Sequence, residues 1–127
     1  MKSYFPYHPE LREFEKQPQQ KMGEGMLFQH FHTGNLTLVR WEFKKGVVIP
    51  KHHHMYEQVT WFERGSAKII TGVEDHEKEI VIKAGQIVIF PSNTPHEFHI
   101  LEDCIDIDVF CPPRQDWIDG KVSYYQK

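Results

Sequence analysis

Residues 51–58 read KHHHMYEQ, three consecutive histidines followed within a few residues by a carboxylate and an amide. Imidazole is a ligand for zinc, copper, iron and nickel, so this run points towards a metal centre. In extended backbone, successive side chains point to opposite faces. His52 and His54 then share one face, and His53 takes the other. If the alternation continues, Tyr56 and Gln58 join His52 and His54, while Met55 and Glu57 join His53. A turn or bulge at Met55 would reverse that register. The pattern therefore predicts Gln58, rather than Glu57, as the inward group. A fourth ligand has to come from a distant strand, and PSNTPHEFHI offers His96 directly after a proline-rich turn. Such a ligand set leaves coordination positions open, as catalytic sites do and closed structural sites do not. His8, His30, His32, His76 and His99 are read as ordinary surface or core histidines.

A second constellation lies near the end of the chain. CIDIDVF alternates strictly, with Ile105, Ile107 and Val109 on one face and Asp106, Asp108 and Phe110 on the other. The plain reading puts the isoleucines in the core and the aspartates in water. The opposite reading has the outer face covered by a second sheet or a partner, so that Asp106 and Asp108 line the cavity. A carboxyl group in such a pocket has a shifted pKa and can trade protons with a substrate. Directly afterwards, in CPPRQDW, two prolines stiffen the loop before Arg114, whose guanidinium binds carboxylates as a fork. Arg40, in LTLVRWEF, is compatible with either face. Thr60 continues the inward parity of Gln58, and Trp61 then points outward, where an aromatic ring suits a second sheet or a dimer contact.

The elements that must hold these residues are strands. The chain has 127 residues, with 39% hydrophobic and 13% aromatic residues, enough for one packed domain. MLFQHFH, LTLVRWEF, EQVTWFE, SAKIITG, EKEIVI, QIVIFP, HEFHIL and CIDIDVF follow one another. They are separated by KKGVVIP, ERGS, TGVEDHEK, KAGQ and PSNTP, which carry turn residues. No segment shows sustained helical periodicity, so an all-β sandwich or barrel is expected over residues 26–127. Residues 1–25, punctuated by Pro6, Pro9, Pro18, Gly23 and Gly25, read as an irregular arm. A helical turn is expected in ELREFEK and a loop in PQQKMGEG. Net charge is −3 with no basic run, which argues against a nucleic-acid partner. No apolar stretch approaches the roughly 20 residues of a membrane helix. The opening residues lack the apolar core of a signal peptide. Cys104 and Cys111 are not in CxxC spacing and read as reduced thiols, and a cytoplasmic location is expected.

These segments resemble the cupins. Gly46, His52, His54, Gln58 and Gly65 fall at the spacings of the first cupin motif, G-x5-H-x-H-x3,4-E-x6-G. Gly85, Pro91 and His96 fall at those of the second, G-x5-P-x-G-x2-H-x3-N. Asn93 stands where the second motif has glycine, a replacement that tolerates left-handed backbone. Ile100 stands where it has asparagine. The resemblance implies a double-stranded β-helix, a jelly-roll barrel with a divalent transition metal inside. Zinc, nickel, manganese and iron are all compatible with it. The implied ligands are His52, His54, Gln58 and His96. Gln58 takes the position where the family usually has glutamate. A neutral amide leaves the site one unit more positive, which strengthens the metal as a Lewis acid.

The ending DVFCPPRQDWIDG resembles the D-x-F-x-P-x-R-x-D-W tail of small bacterial cupins of pectin and alginate breakdown, which open 4,5-unsaturated uronates. That resemblance implies pocket roles for Asp108, Phe110 and Arg114 and an anionic sugar as substrate. Asp108 would act as acid/base, Phe110 would wall the sugar, and Arg114 would hold the carboxylate. Other expectations on the same barrel are a dioxygenase, isomerase or cyclase, or a non-catalytic small-molecule-binding cupin. Small cupins commonly form homodimers, and the aromatic residues Tyr4, Phe5 and Tyr7 are expected to pair with a partner sheet.

Overall fold

The computed structural model describes residues 8–121. Tyr4, Phe5 and Tyr7, and with them the expected pairing of the arm, lie outside the described residues. After a 3-10 turn at Phe14–Lys16, ten strands follow: β1 (Gln20–Gly23), β2 (Met26–His32), β3 (Thr37–Phe43), β4 (Val48–His52), β5 (Glu57–Arg64), β6 (Ser66–Thr71), β7 (Lys78–Lys83), β8 (Ile87–Phe90), β9 (His96–Ile100) and β10 (Cys104–Cys111). A single helical turn, α1 (Gln115–Ile118), closes the described chain. The strands make a six-stranded sheet, β1-β2-β3-β10-β5-β8, facing a four-stranded sheet, β4-β9-β6-β7. Every pairing among the described residues is antiparallel. This is the jelly-roll barrel the sequence predicts.

Two segments differ from expectation. PQQKMGEG is not simply a loop: residues 20–23 pair with β2 and extend the larger sheet, and the turn follows at Glu24 and Gly25. KKGVVIP is not simply a separator: Val48 to Pro50 belong to β4 and pair with β9. Pro50 sits at the irregular step between Ile49 and His52, where the missing N–H does least harm.

The interior is built by alternation. On β3, Thr37, Val39, Trp41 and Phe43 are buried, and Leu38, Arg40 and Glu42 are not. On β10, Cys104, Asp106, Asp108 and Phe110 point inward, which settles the two readings of CIDIDVF in favour of the buried aspartates. Phe28, Trp41, Phe62, Ile69, Phe90, Phe98 and Phe110 join one core cluster between the sheets. Each fully buried aromatic or aliphatic side chain contributes roughly 1.5–3 kcal/mol. Backbone conformation fixes two turns that bear on the site. Gly65 has φ +83°, and a Cβ there would lie 2.3 Å from the Asp103 carbonyl oxygen, so no side chain fits. Asn93 adopts φ 63°, the left-handed conformation expected for the residue replacing glycine. In that conformation its N–H donates to the His54 carbonyl at 2.7 Å and ties the two histidine-bearing loops together.

Candidate metal centre and its surroundings

The three histidine ligands predicted from sequence converge. His52 ends β4, directly opposite His96 at the start of β9. His54 lies in the connection that crosses to β5. The strand alternation survives the bend at Met55 and Tyr56, so His53 and Glu57 are exposed while Gln58 and Thr60 are buried. Ligand atoms of His52, His54 and His96 all lie within 4.8 Å of one another.

Backbone carbonyls set the tautomers. The Nδ1 of His52 faces the Pro50 carbonyl at 2.8 Å, that of His54 the Tyr56 carbonyl at 3.0 Å, and that of His96 the Thr94 carbonyl at 2.8 Å. A nitrogen facing a carbonyl oxygen must donate, so each Nδ1 carries the proton and each Nε2 keeps its lone pair. Burial holds His54 down to about 4, helped by the charge of Arg114 and by His52. Burial likewise holds His96 down to about 3, helped by His52. Both imidazoles are therefore neutral near pH 7, the state that binds metal.

Gln58 lies beside His54. Its Nε2 donates to the Thr60 hydroxyl at 2.9 Å, and that hydroxyl in turn hydrogen-bonds Asp108, its direct neighbour across β5 and β10. The amide is thereby turned so that Oε1 faces His54 Nε2 at 3.1 Å. Two lone pairs face one another there, an arrangement that a cation between them relieves. Two ligands about 2.1 Å from one ion and at right angles to it lie about 3 Å apart, so the spacing fits. The residues thus fit a divalent transition metal held by three imidazoles and a neutral amide oxygen.

Beyond the ligands lies a cavity of about 10 Å³, lined by His52, Gln58, His96, Phe98, Asp106 and Asp108 among others. It has room for roughly one water-sized particle. Asp106 and Asp108 are each 2% exposed and hydrogen-bond each other. Burial, then the Asp108 charge, pushes Asp106 well above the usual carboxylate range. Burial also raises Asp108, opposed by hydrogen bonds from Asp106, Thr60 and Trp41 and by the Arg114 charge. Asp106 is thus the protonated partner and donates to Asp108. One Oδ1 of each lies buried without a hydrogen bond. Asp106 therefore lines the cavity, whereas Arg40 points outward and pairs with Glu42 at 2.8 Å. Trp61 also points outward, as predicted.

Phe110 and Arg114 sit at one side of His54. The Phe110 ring is 5.6 Å from the His54 ring and 1% exposed, packed as core as well as beside the site. The Arg114 guanidinium is stacked on Trp117, Phe110 and Tyr56 at 4.2, 4.7 and 4.9 Å. Its Nε and Nη2 are not open as a fork: both bind the Asp116 carboxylate, at 3.0 and 2.7 Å. Asp116 thus occupies the two nitrogens that the sequence reading offers to a substrate carboxylate. Burial acts against ionisation of Asp116, but the hydrogen bonds and charge of Arg114 outweigh it and hold its pKa low.

Sequence reasoning gave no role to Tyr56, Asp116, Trp117 or His30. Trp117 is buried against Phe28, Trp41, Phe110 and His30 and belongs to the core cluster. The spacing R-x-D-W, with a carboxylate two residues past the arginine, was the available signal. His30 is read as ordinary but is held down to about 4 by burial and by His32.

The fold and the histidine centre define a cupin. A cupin domain (Cupin_2) matches residues 39–110, more than half of the chain, and the protein belongs to that family. KdgF from Halomonas sp. has a similar structure, with TM-score 0.77 and 23% identity, covering 87% of this chain and 99% of that one. Oxalate decarboxylase from Bacillus subtilis superposes with TM-score 0.71 and 20% identity, covering 83% of this chain but 30% of that one. Among curated proteins, acireductone dioxygenase of Sulfurihydrogenibium sp. (strain YO3AOP1) is 28% identical over 100 residues, covering 76% of this chain and 51% of that protein. Acireductone dioxygenase 1 of Pectobacterium atrosepticum is 29% identical over 72 residues, covering 55% and 41%. The chain spans about half the length of the curated relatives it matches, or less.

Proposed function

We propose that this cupin is a metal-dependent enzyme that opens the ring of 4,5-unsaturated uronates, the products of pectin or alginate breakdown. The observation that carries the reading is the buried, proton-holding Asp106–Asp108 pair across one small cavity from His52, Gln58 and His96. The likeness to KdgF, over 87% of this chain and 99% of that one, is in keeping with it. His52, His54, His96 and Gln58 would hold the metal, which when bound supplies Lewis acidity towards an oxygen of the substrate.

The protein's own residues account for the proton traffic. The substrate's C4–C5 double bond is an enol ether conjugated to the carboxylate. Asp108, supplied by Asp106, delivers a proton to C4. Water adds at C5, and its surplus proton returns to the aspartate pair. The resulting hemiketal opens to a linear keto sugar, so the sum is addition of one water without redox change. Arg114 receives the uronate carboxylate, and Phe110 walls the sugar.

A second reading is a dioxygenase, favoured by the 28% identity to acireductone dioxygenase. Oxygen uptake by iron-loaded protein separates the two. Loss of ultraviolet absorbance from unsaturated galacturonate or guluronate on adding metal-loaded protein tests the first; absorbance falling only at the spontaneous rate rejects it.

We read the protein as a cytoplasmic homodimer. Trp61, Ile87 and Ile89 are 42%, 59% and 61% exposed on the outer face of the larger sheet. Trp61 and Ile87 are direct neighbours across β5 and β8, and this apolar patch suits a second copy. Among the described residues no helix is long and apolar enough to cross a membrane, and Cys104 and Cys111 are free thiols.

A further inference from the structure

We propose that Asp116 is the internal competitor of the substrate's carboxylate at Arg114, so that binding a uronate displaces Asp116 and withdraws Trp117 from its packing beside Phe110 and Arg114. The inference rests on the uronate reading above and adds a residue that decides which ligands enter. Three observations carry it.

The first is chemical. The Asp116 carboxylate occupies Nε and Nη2 of Arg114 in the two-bonded geometry that a substrate carboxylate needs. An incoming uronate carboxylate offers the same two oxygens, so the exchange keeps charge and hydrogen-bond number constant at the guanidinium.

The second is spatial. The cavity beside the metal ligands is about 10 Å³, far below the few hundred Å³ typical of a small-molecule site. The guanidinium itself is covered by Tyr56, Phe110 and Trp117, and its Nη1 is buried without a hydrogen bond. A sugar acid therefore cannot simply add to the free Nη1 edge; part of the wall has to move.

The third is the unequal anchoring of that wall. Tyr56 and Phe110 are on or beside β5 and β10, each held by neighbouring strands. Trp117 is on α1, a helix of four residues. Its segment is tied to the barrel by Arg114 N–H to Thr37 Oγ1 at 2.9 Å, by Gln115 N–H to Tyr56 Oη at 3.1 Å, by a hydrogen bond between Asp116 and the Tyr56 side chain, and by the packing of the Trp117 ring on Phe28, Trp41 and Phe110, with no strand pairing among the described residues to hold it. The Asp116 side chain is 35% exposed, against 5% for Arg114, so the aspartate has the shorter path to water. Neutral ligands cannot make the exchange, because they would leave the buried guanidinium without its counter-charge.

The test uses zinc-loaded protein labelled with fluorotryptophan, with the Trp117 resonance assigned from Trp117→Phe. Galacturonate and neutral galactose are titrated separately, and the solvent isotope shift of the Trp117 fluorine reads its exposure. Galacturonate is saturated at C4–C5 and is not consumed, so the result is independent of turnover. Galacturonate is expected to expose Trp117 and galactose to leave it buried. Asp116→Asn is expected to lower the galacturonate concentration at half-saturation by about tenfold, the scale of one charged hydrogen bond. Asp116→Glu, which keeps the charge but displaces the fork, shifts it in the same direction and serves if the asparagine variant does not fold. The proposal is overturned if galacturonate binds with Trp117 still buried, if the Asp116 variants bind no more tightly, or if neither protein binds galacturonate. The uronate reading fails on a different result, unsaturated substrate left unconsumed.

Discussion

His54 Nε2 and Gln58 Oε1 face each other across 3.1 Å, although both are acceptors. The backbone forces the first, by taking the Nδ1 proton at the Tyr56 carbonyl; Thr60 forces the second, by taking the amide N–H. The pair is thus preorganised for a cation. Gln58→Glu adds a charge to the ligand set. The variant is expected to bind zinc more tightly, by about tenfold or more, and to turn over more slowly because the ion is a weaker Lewis acid. Competition with a chromogenic chelator, read beside the uronate assay, checks both.

Thr60 is 0% exposed and joins Gln58 to Asp108. Thr60→Val preserves shape but leaves the amide free to turn. Metal affinity is expected to fall by about 10–100-fold, the usual cost of losing a group that orients a ligand. Thr60→Ser restores it. The ligand-field spectrum of cobalt-substituted protein shows whether Gln58 has left its position; an unchanged spectrum in Thr60→Val contradicts the assignment.

Asp108→Asn removes the proton carrier without touching a ligand. The rate of ring opening is expected to fall by about 10²–10⁴-fold, with metal content unchanged. Full activity in this variant removes Asp108 from the mechanism.

The buried titratable groups give stability two opposing pH dependences. His54, His96 and His30 have folded pKa values below the ordinary 6.5, at about 4, 3 and 4. The unfolded chain therefore binds more protons, and this contribution is complete above about pH 6.5 and fades as pH falls through the folded values, down to about 3 for His96. Asp106 is raised, so its contribution is complete below the ordinary carboxylate range and is lost as pH rises through its folded pKa. In metal-free protein, Tm should fall on acidification from pH 7 to 5. Asp106→Asn keeps a hydrogen-bond donor and needs no proton, so it should raise Tm at pH 8 and lose that advantage near pH 4. Thermal melts across this range distinguish the variants.

Ile89→Glu places a charge on the exposed apolar face of β8. If that face joins two copies, light scattering will show the variant as a monomer at concentrations where the parent chain is a dimer.

Much of the centre was legible in the sequence because strand parity is rigid. His52, His54, Gln58 and Thr60 follow from one alternation, and His96 from the spacing of a second segment. The same parity left β10 ambiguous, since Ile105, Ile107 and Val109 are as apolar as any core face. Only its central place in the larger sheet, between β3 and β5, shows why the face shared with Phe110 turns inward. The arm strand β1 was hidden by Pro18 and two glycines, whose turn signals outweigh a four-residue pairing. The Arg114–Asp116 fork was hidden because a guanidinium two residues from a carboxylate reads equally as a surface pair or an open clamp. Burial under three aromatic rings, a tertiary fact, decides it.

The central claim is that the metal set and the aspartate pair act together on an unsaturated uronate. The most direct measurement is the initial rate at which unsaturated galacturonate loses its ultraviolet absorbance with metal-loaded protein, chelator-stripped protein and metal-loaded Asp108→Asn. The prediction is rapid loss in the first and near-spontaneous loss in the other two, with metal retained by the variant. Equal rates for all three, or spontaneous loss with the loaded parent protein, would contradict it.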